Sequence, residues 1–285
     1  MDLTATDRGG ATELVFSRFP TLRDHVAAWH VGDVLVDAGG AHTAGALEAW
    51  LEGRRISALL LGHHHEDHSG GAGAIARRGV PVFGSRGTAA RLRRPGRVPE
   101  YCARMWGQRT PIKVRPPNGV PLQSIPLPGH SPDQLGYLDR ETGWLYSGDL
   151  VLRRRQQVAM PGEDPWAMID SINRVLELAP AALATSHRGL LVEPAAVLRE
   201  QRDYLEHLAG EIAHLHRGGL SVSAMVTTLF GGEATLPGTQ TTWRESSGGE
   251  FSSGRWVTAF LRPRPDQRSA SRAARSQPPS SAAAS

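Results

Sequence analysis

Apolar residues in the first half of the chain fall in short runs at residues 14–19, 26–31, 34–37 and 56–61. Turn-forming residues separate the first three, and a stretch with helical spacing at 43–52 precedes the last. Short apolar runs bounded by Gly, Asp and Pro predict strands, and the intervening 3.6-residue repeat predicts a helix, so the order reads β, β, β, α, β. A small-residue segment at 69–78 predicts another helix and 80–83 another short strand. The pattern then repeats, with strands at 122–127, 135–138 and 144–146, a helix at 166–178 and a strand at 182–185. Strands followed by helices, twice over, predict an α/β fold of two packed sheets with helices outside.

Beyond residue 194 the texture changes to a long helical stretch at 195–216, a second at 222–230, a Gly/Thr/Ser-rich connection and a third at 255–261. The chain divides accordingly into a flexible N-terminus at 1–12, a main domain at 13–192, a small helical accessory domain at 193–262 and a tail at 263–285. The tail is expected to be disordered, because Ser, Ala, Pro, Arg and Gln bury too little apolar surface to offset the entropy of ordering.

Composition narrows the setting more than the function. No stretch approaches the roughly 18 unbroken apolar residues of a membrane span. The first residues lack a basic start followed by an apolar run, so a cytoplasmic location is expected. The single cysteine, Cys102, forms no internal disulfide and agrees with a reducing compartment. The net charge of +4 suggests an acidic partner, yet 31 of the 32 basic residues are arginine and only Lys113 is lysine. So one-sided a usage reflects composition rather than a polyanion site, and the expected partner is a small-molecule substrate, not nucleic acid or a membrane.

The chemistry is concentrated in Gly62-His63-His64-His65-Glu66-Asp67-His68-Ser69-Gly70-Gly71, which contains H-x-H-x-D-H. Residues two apart in an extended stretch point the same way, so His63 and His65 are able to grip one metal ion. As the chain turns into a helix, Asp67 and His68 swing toward a second. A solvated polyhistidine run is the bland alternative, and the spacing of the two acid and base types argues against it.

With these residues the chain resembles the metallo-β-lactamase superfamily, over roughly residues 13–192. Pro128-Gly129-His130-Ser131-Pro132 resembles the family segment whose histidine completes the first metal site. Leu145-Tyr146-Ser147-Gly148-Asp149 resembles the element whose aspartate bridges two metals, and Thr185-Ser186-His187-Arg188-Gly189 the one that gives a histidine to the second. Leu35-Val36-Asp37-Ala38-Gly39 resembles the strand whose aspartate supports the site from behind. The resemblance therefore implies His63, His65 and His130 on one ion, Asp67, His68 and His187 on the other, Asp149 between them and Asp37 in support. It implies a four-layer αββα sandwich carrying a small helical, winged-helix-like C-terminal domain. His25, His30, His42, His64, His207, His214 and His216 have no place in the pattern and are read as non-ligands.

The resemblance implies two divalent ions, zinc first, with iron or manganese accepting the same ligands. A metal-bridging hydroxide is then the nucleophile, and Asp67 handles its proton. The expected reaction is hydrolysis of a thioester, lactone or other ester-like bond, in the manner of the glyoxalase II-like branch. A phosphodiesterase or ribonuclease is the alternative, and an iron-dependent dioxygenase or oxidoreductase ranks last. Gln134 stands where thioesterase and lactonase relatives carry a histidine, so the pocket is expected to differ while ligation survives. The bridging Asp149 argues against β-lactam opening. Arg153, Arg154 and Arg155, just after the Asp149 strand, are candidate contacts for an anionic substrate group, with a solvated charge run as the alternative.

Overall fold

The computed structural model describes residues 2–17, 25–153, 155–236 and 239–264. A first sheet takes strands β1 Asp2–Asp7, β2 Thr12–Ser17, β3 His25–Val31, β4 Val34–Val36, β5 Ala58–Leu60, β6 Val82–Phe83 and β7 Val114–Arg115 in chain order. A second takes β8 Gln123–Pro126, β9 Leu135–Leu138, β10 Trp144–Gly148, β11 Ala182–Thr185 and β12 Gly189–Val192, in the order β12-β11-β10-β9-β8. The helices are α1 Ala44–Trp50, α2 Glu66–Ser69, α3 Ala72–Arg77, α4 Arg86–Arg93, α5 Glu100–Trp106, α6 Pro165–Leu178, α7 Ala195–Arg217, α8 Val222–Phe230, α9 Trp243–Ser246 and α10 Ser253–Phe260. Helices intervene wherever neighbouring strands run parallel, from β4 to β7 and from β10 to β11, because a parallel pair needs a crossover.

Strand periodicity sorts the core into three interfaces. Leu35, Leu59 and Leu61 point outward with Leu14 and Phe16 onto Leu47 of α1 and Ile75 of α3. Their neighbours Val34, Val36, Ala58 and Leu60 point the other way, with Trp29, onto Tyr137, Tyr146 and Ala184 of the second sheet. Leu145 and Leu183, one residue from Tyr146 and Ala184, face the opposite side and meet Met168, Ile169 and Ile172 of α6. One residue of offset thus assigns a side chain to a different layer, and the result is the expected αββα sandwich. The long helix α6 starts at Asp164, whose side chain accepts hydrogen bonds from the Trp166 and Ala167 amides, and Pro165 sits where a missing N–H costs nothing.

Three expectations need correction. The N-terminus, expected to be loose over 1–12, forms β1, which pairs antiparallel with β2 from Asp2–Ser17 to Asp7–Thr12. The described residues of 193–262 do not form a separate core: Leu205 of α7, Met225 of α8 and Trp256 of α10 close on α6 and the second sheet in one cluster. Nor is the region winged, for its described residues hold helices and isolated bridges and no strand. Of the tail, residues 265–285 lie outside the described residues, whereas Arg264 stacks 5.0 Å over the Trp166 ring.

Candidate metal centre

All candidate ligands follow the carboxyl ends of strands. Asp37 follows β4, His63 and His65 lie on the loop after β5, and Asp67 and His68 sit in the first turn of α2. His130 follows β8, Asp149 follows β10, and His187 sits on the turn from β11 to β12. Close backbone approach makes this possible at two glycines. A Cβ at Gly71 would stand 2.2 Å from the Ala38 carbonyl oxygen, which lets α2 press against the β4 loop, where the Ala38 amide donates to the His68 carbonyl at 2.8 Å. At Gly129, with φ of +147°, a Cβ would stand 2.6 Å from Met168 Cα, so only glycine carries the chain past α6 to His130.

The seven side chains converge as two groups, His63, His65 and His130 in one and Asp67, His68, Asp149 and His187 in the other. In the first, His63 Nε2 and His130 Nε2 stand 2.9 and 3.0 Å from His65 Nδ1. In the second, His68 Nε2 is 3.2 Å from Asp149 Oδ1 and 3.7 Å from Asp67 Oδ2. His187 Nε2 lies 3.4 Å from Asp67 Oδ2 and 3.5 Å from Asp149 Oδ1. Asp149 divides its oxygens, since Oδ2 faces His130 Nε2 at 3.2 Å while Oδ1 faces the second group. Tetrahedral ligands at zinc-like bond lengths of ~2.0–2.1 Å have mutual distances of about 3.3 Å, so both groups have the dimensions to hold such an ion. His68 Nε2 and Asp149 Oδ1, both buried, face each other at 3.2 Å without a well-formed hydrogen bond, and a bound cation would give each a direct partner.

The opposite ring nitrogens are tied down. His68 Nδ1 donates to Asp37 Oδ2 at 2.8 Å, and Asp37, itself at φ 61°, accepts the Gly62 amide on its other oxygen at 2.7 Å. His130 Nδ1 donates to Glu163 Oε1 at 2.8 Å, and His187 Nδ1 donates to the His25 carbonyl at 2.7 Å. With Nδ1 as donor, each ring turns its Nε2 inward, the arrangement that orients histidine ligands.

Charge divides the donors. Burial, helped by the neighbouring imidazoles, pushes His63 and His65 well below the usual histidine value, whereas at His130 burial is outweighed by Asp149 and Glu163, which raise it. Burial also disfavours charge on His187, but Asp149 and Asp67 outweigh it and raise this histidine to about 10. His68 is likewise raised, against burial, by Asp149, Asp67 and Asp37. Burial opposes ionisation of Asp67, yet His68 and His187 hold it at about 2, and the same partners with His130 hold Asp149 well below the carboxylate range. Protons therefore supply, without metal, the positive charge that the carboxylates demand, and metal binding would displace them.

The groups open into a cleft of about 630 Å³. Arg153 and Arg155 line it, and Arg154 lies outside the described residues. Gln134 turns away, buried at 2% exposure with Nε2 3.4 Å from the Ser147 carbonyl. His64, although flanked by ligands, directs Nδ1 to Asp133 at 2.8 Å, where Thr88 and Ser131 also donate. Cys102 is buried beside Glu66, and burial raises its thiol far above the usual range. Sequence reasoning missed Glu163, the His25 carbonyl and Asp133. Glu163 lies 33 residues from His130 with no motif to mark it, a backbone carbonyl carries no side-chain signal, and only the nearness of Asp133 to His130 offered a hint.

A family model described as the metallo-beta-lactamase superfamily matches residues 31–187, more than half of the chain. The "Beta-lactamase-like protein 2 homolog" of Drosophila melanogaster is 27% identical over 181 residues, 56% of this chain and 56% of that protein. The chain thus spans little more than half the length of that relative. A "Hydroxyacylglutathione hydrolase" of Xanthomonas axonopodis pv. citri is 29% identical over 203 residues, 67% of this chain and 71% of that protein. Among solved structures, a metallo-beta-lactamase family protein of Thermus thermophilus superposes with a TM-score of 0.64 at 18% identity, covering 88% of this chain and 92% of that one, a likeness of fold.

Proposed function

Because the chain belongs to the metallo-beta-lactamase superfamily, we propose that it is a metal-dependent hydrolase with a dinuclear site, acting on a thioester, lactone or other ester-like small molecule. The division of Asp149, one oxygen toward each donor group, carries the dinuclear reading. His63, His65 and His130 would hold one divalent ion, Asp67, His68 and His187 the other, with Asp149 shared and zinc the first candidate for an N/O donor set. When bound, such ions supply Lewis acidity, lowering the pKa of water toward neutrality and polarising a scissile carbonyl.

The chain's own residues do the rest. Asp37, Glu163 and the His25 carbonyl fix the rings. Asp67, held as an anion at the mouth of the second group, takes a proton from the attacking water and returns it to the departing oxygen or sulfur. The hydroxyacylglutathione hydrolase relatives support the ester-like bond, and the lone, buried Cys102 supports a cytoplasmic setting. A phosphodiesterase is the second reading. It is favoured by residues 86–115, which carry nine cations against the single carboxylate Glu100, and by the groove that Arg86, Arg93 and Lys113 line there.

The test is a panel of thioesters, lactones, phosphodiesters and RNA with the metal-loaded protein at several salt concentrations. The expected outcome is metal-dependent ester or thioester cleavage with weak salt dependence. RNA cleavage that survives physiological salt, with no ester turned over, would transfer the conclusion to the second reading.

A further inference from the structure

The cleft has a lining that hydrolytic chemistry leaves unused. Tyr101 of α5, Trp243 of α9 and Phe251 form a trio of rings whose centroids lie 5.8, 6.0 and 6.1 Å apart, and all three border the cleft. They belong to a small cluster separate from the three layer interfaces. Its position is fixed: Ala159 and Ser252 exchange backbone hydrogen bonds at 3.2 and 3.3 Å, joining the C-terminal segment to the loop that carries Glu163 and so to His130. The C-terminal region therefore contributes a wall to the cleft whose floor is the metal centre.

Cationic groups border the same wall. Arg153 and Arg155 are exposed, line the cleft and form no ion pair among the described residues. The Arg153 guanidinium lies 5.3 Å over the Trp243 ring, so charge and aromatic surface are contiguous. Arg109 also lines the cleft but is half-buried and donates to the His64 carbonyl at 3.1 Å, so Arg153 and Arg155 are the exposed cations that the lining offers to an anion. A cleft of this volume accommodates far more than a scissile ester group. Ring faces take flat apolar groups, and unpaired guanidinium groups take carboxylate, phosphate or sulfonate.

We propose that Ala234, Thr235, Trp243 and Phe251 form a specificity wall with Tyr101, and that the substrate is an ester or thioester bearing an aryl group, seated on Tyr101, Trp243 and Phe251, and an anionic group at Arg153 and Arg155. The scissile bond in this statement rests on the hydrolase reading, whereas the two recognition elements do not.

A binding experiment separates the two. Naphthalene-1-sulfonate, methanesulfonate and naphthalene-1-methanol are titrated calorimetrically into the metal-loaded protein; sulfonates are weak metal ligands and none of the three is cleaved. Naphthalene-1-sulfonate should bind at least about tenfold more tightly than either partial probe. Trp243→Ala should weaken it by about fivefold or more, and so should Arg153→Ala with Arg155→Ala, with metal content unchanged in each. Trp243→Leu and Arg153→Gln serve where the alanine variants fail to fold. Equal binding of the three probes, or naphthalene-1-sulfonate binding unaltered in the folded variants, would overturn the specificity wall while leaving the hydrolase reading intact.

Discussion

The floor and the wall of the cleft are built on different principles. The floor draws its seven donors from the segments that follow strand ends, and three of its histidines, His68, His130 and His187, are each held by a hydrogen bond behind the ring. The wall draws on α5, the loop at 156–163 and the C-terminal segment, and presents aromatic rings and exposed arginines to the cleft. A rigid sheet pair is suited to fixing reactive groups, because ligand positions must hold to fractions of an ångström. Loops and a terminal region are suited to choosing a substrate, because they change without disturbing that geometry.

If this division is sound, changes to the floor alter metal binding and turnover, and changes to the wall alter selection. The largest effect is expected from Asp67→Asn, which should lower kcat by about two to four orders of magnitude with KM within about threefold, as loss of proton handling requires. Steady-state kinetics on the best substrate checks it, and a rise confined to KM would move Asp67 from floor to wall. Glu163 joins the two regions, since Oε1 accepts from His130 and Oε2 accepts from Gln156 and the Met160 amide. Glu163→Gln should weaken metal binding by about 10- to 100-fold, measured by competition with a chelating dye. Unchanged affinity would show that wall and floor are uncoupled at this point.

The smallest effect concerns pH. His187 in the metal-free fold is raised to about 10 from an ordinary 6.5. Its contribution to stability is then complete below pH 6.5 and lost as the pH rises through 10. The metal-free protein should melt at least about 3 °C lower at the top of this window than at the bottom. The metal-loaded protein, with the ring already committed as a ligand, should change less; equal slopes would argue against His187 in the metal centre.

The same division explains what was legible in the sequence. The seven donors stood out because a strand followed by a tight turn imposes short, fixed spacings, as in His63 to His68. The strands at 135–138 and 182–185 matched their observed bounds because both faces are packed and apolar. Strand β1 escaped notice because Asp2–Asp7 is an edge strand with one large apolar residue, Leu3, and mostly exposed positions. Helix α4 was hidden for a similar reason, since Arg86–Arg93 buries only Thr88 and Leu92. The wall was illegible because its members lie as far apart as Tyr101 and Phe251, and only tertiary packing brings them together. The separate accessory domain was a misreading of the helical repeat in 195–216, whose apolar face packs on α6 rather than on a core of its own.

The central claim is that seven side chains form a two-ion centre, and metal analysis of the purified protein tests it most directly. The account predicts close to two divalent ions per chain, loss of activity with a strong chelator, recovery on adding the metal back, and reduced metal content in both His130→Ala and Asp149→Ala. A fully active preparation without metal, or full occupancy in both variants, would contradict it.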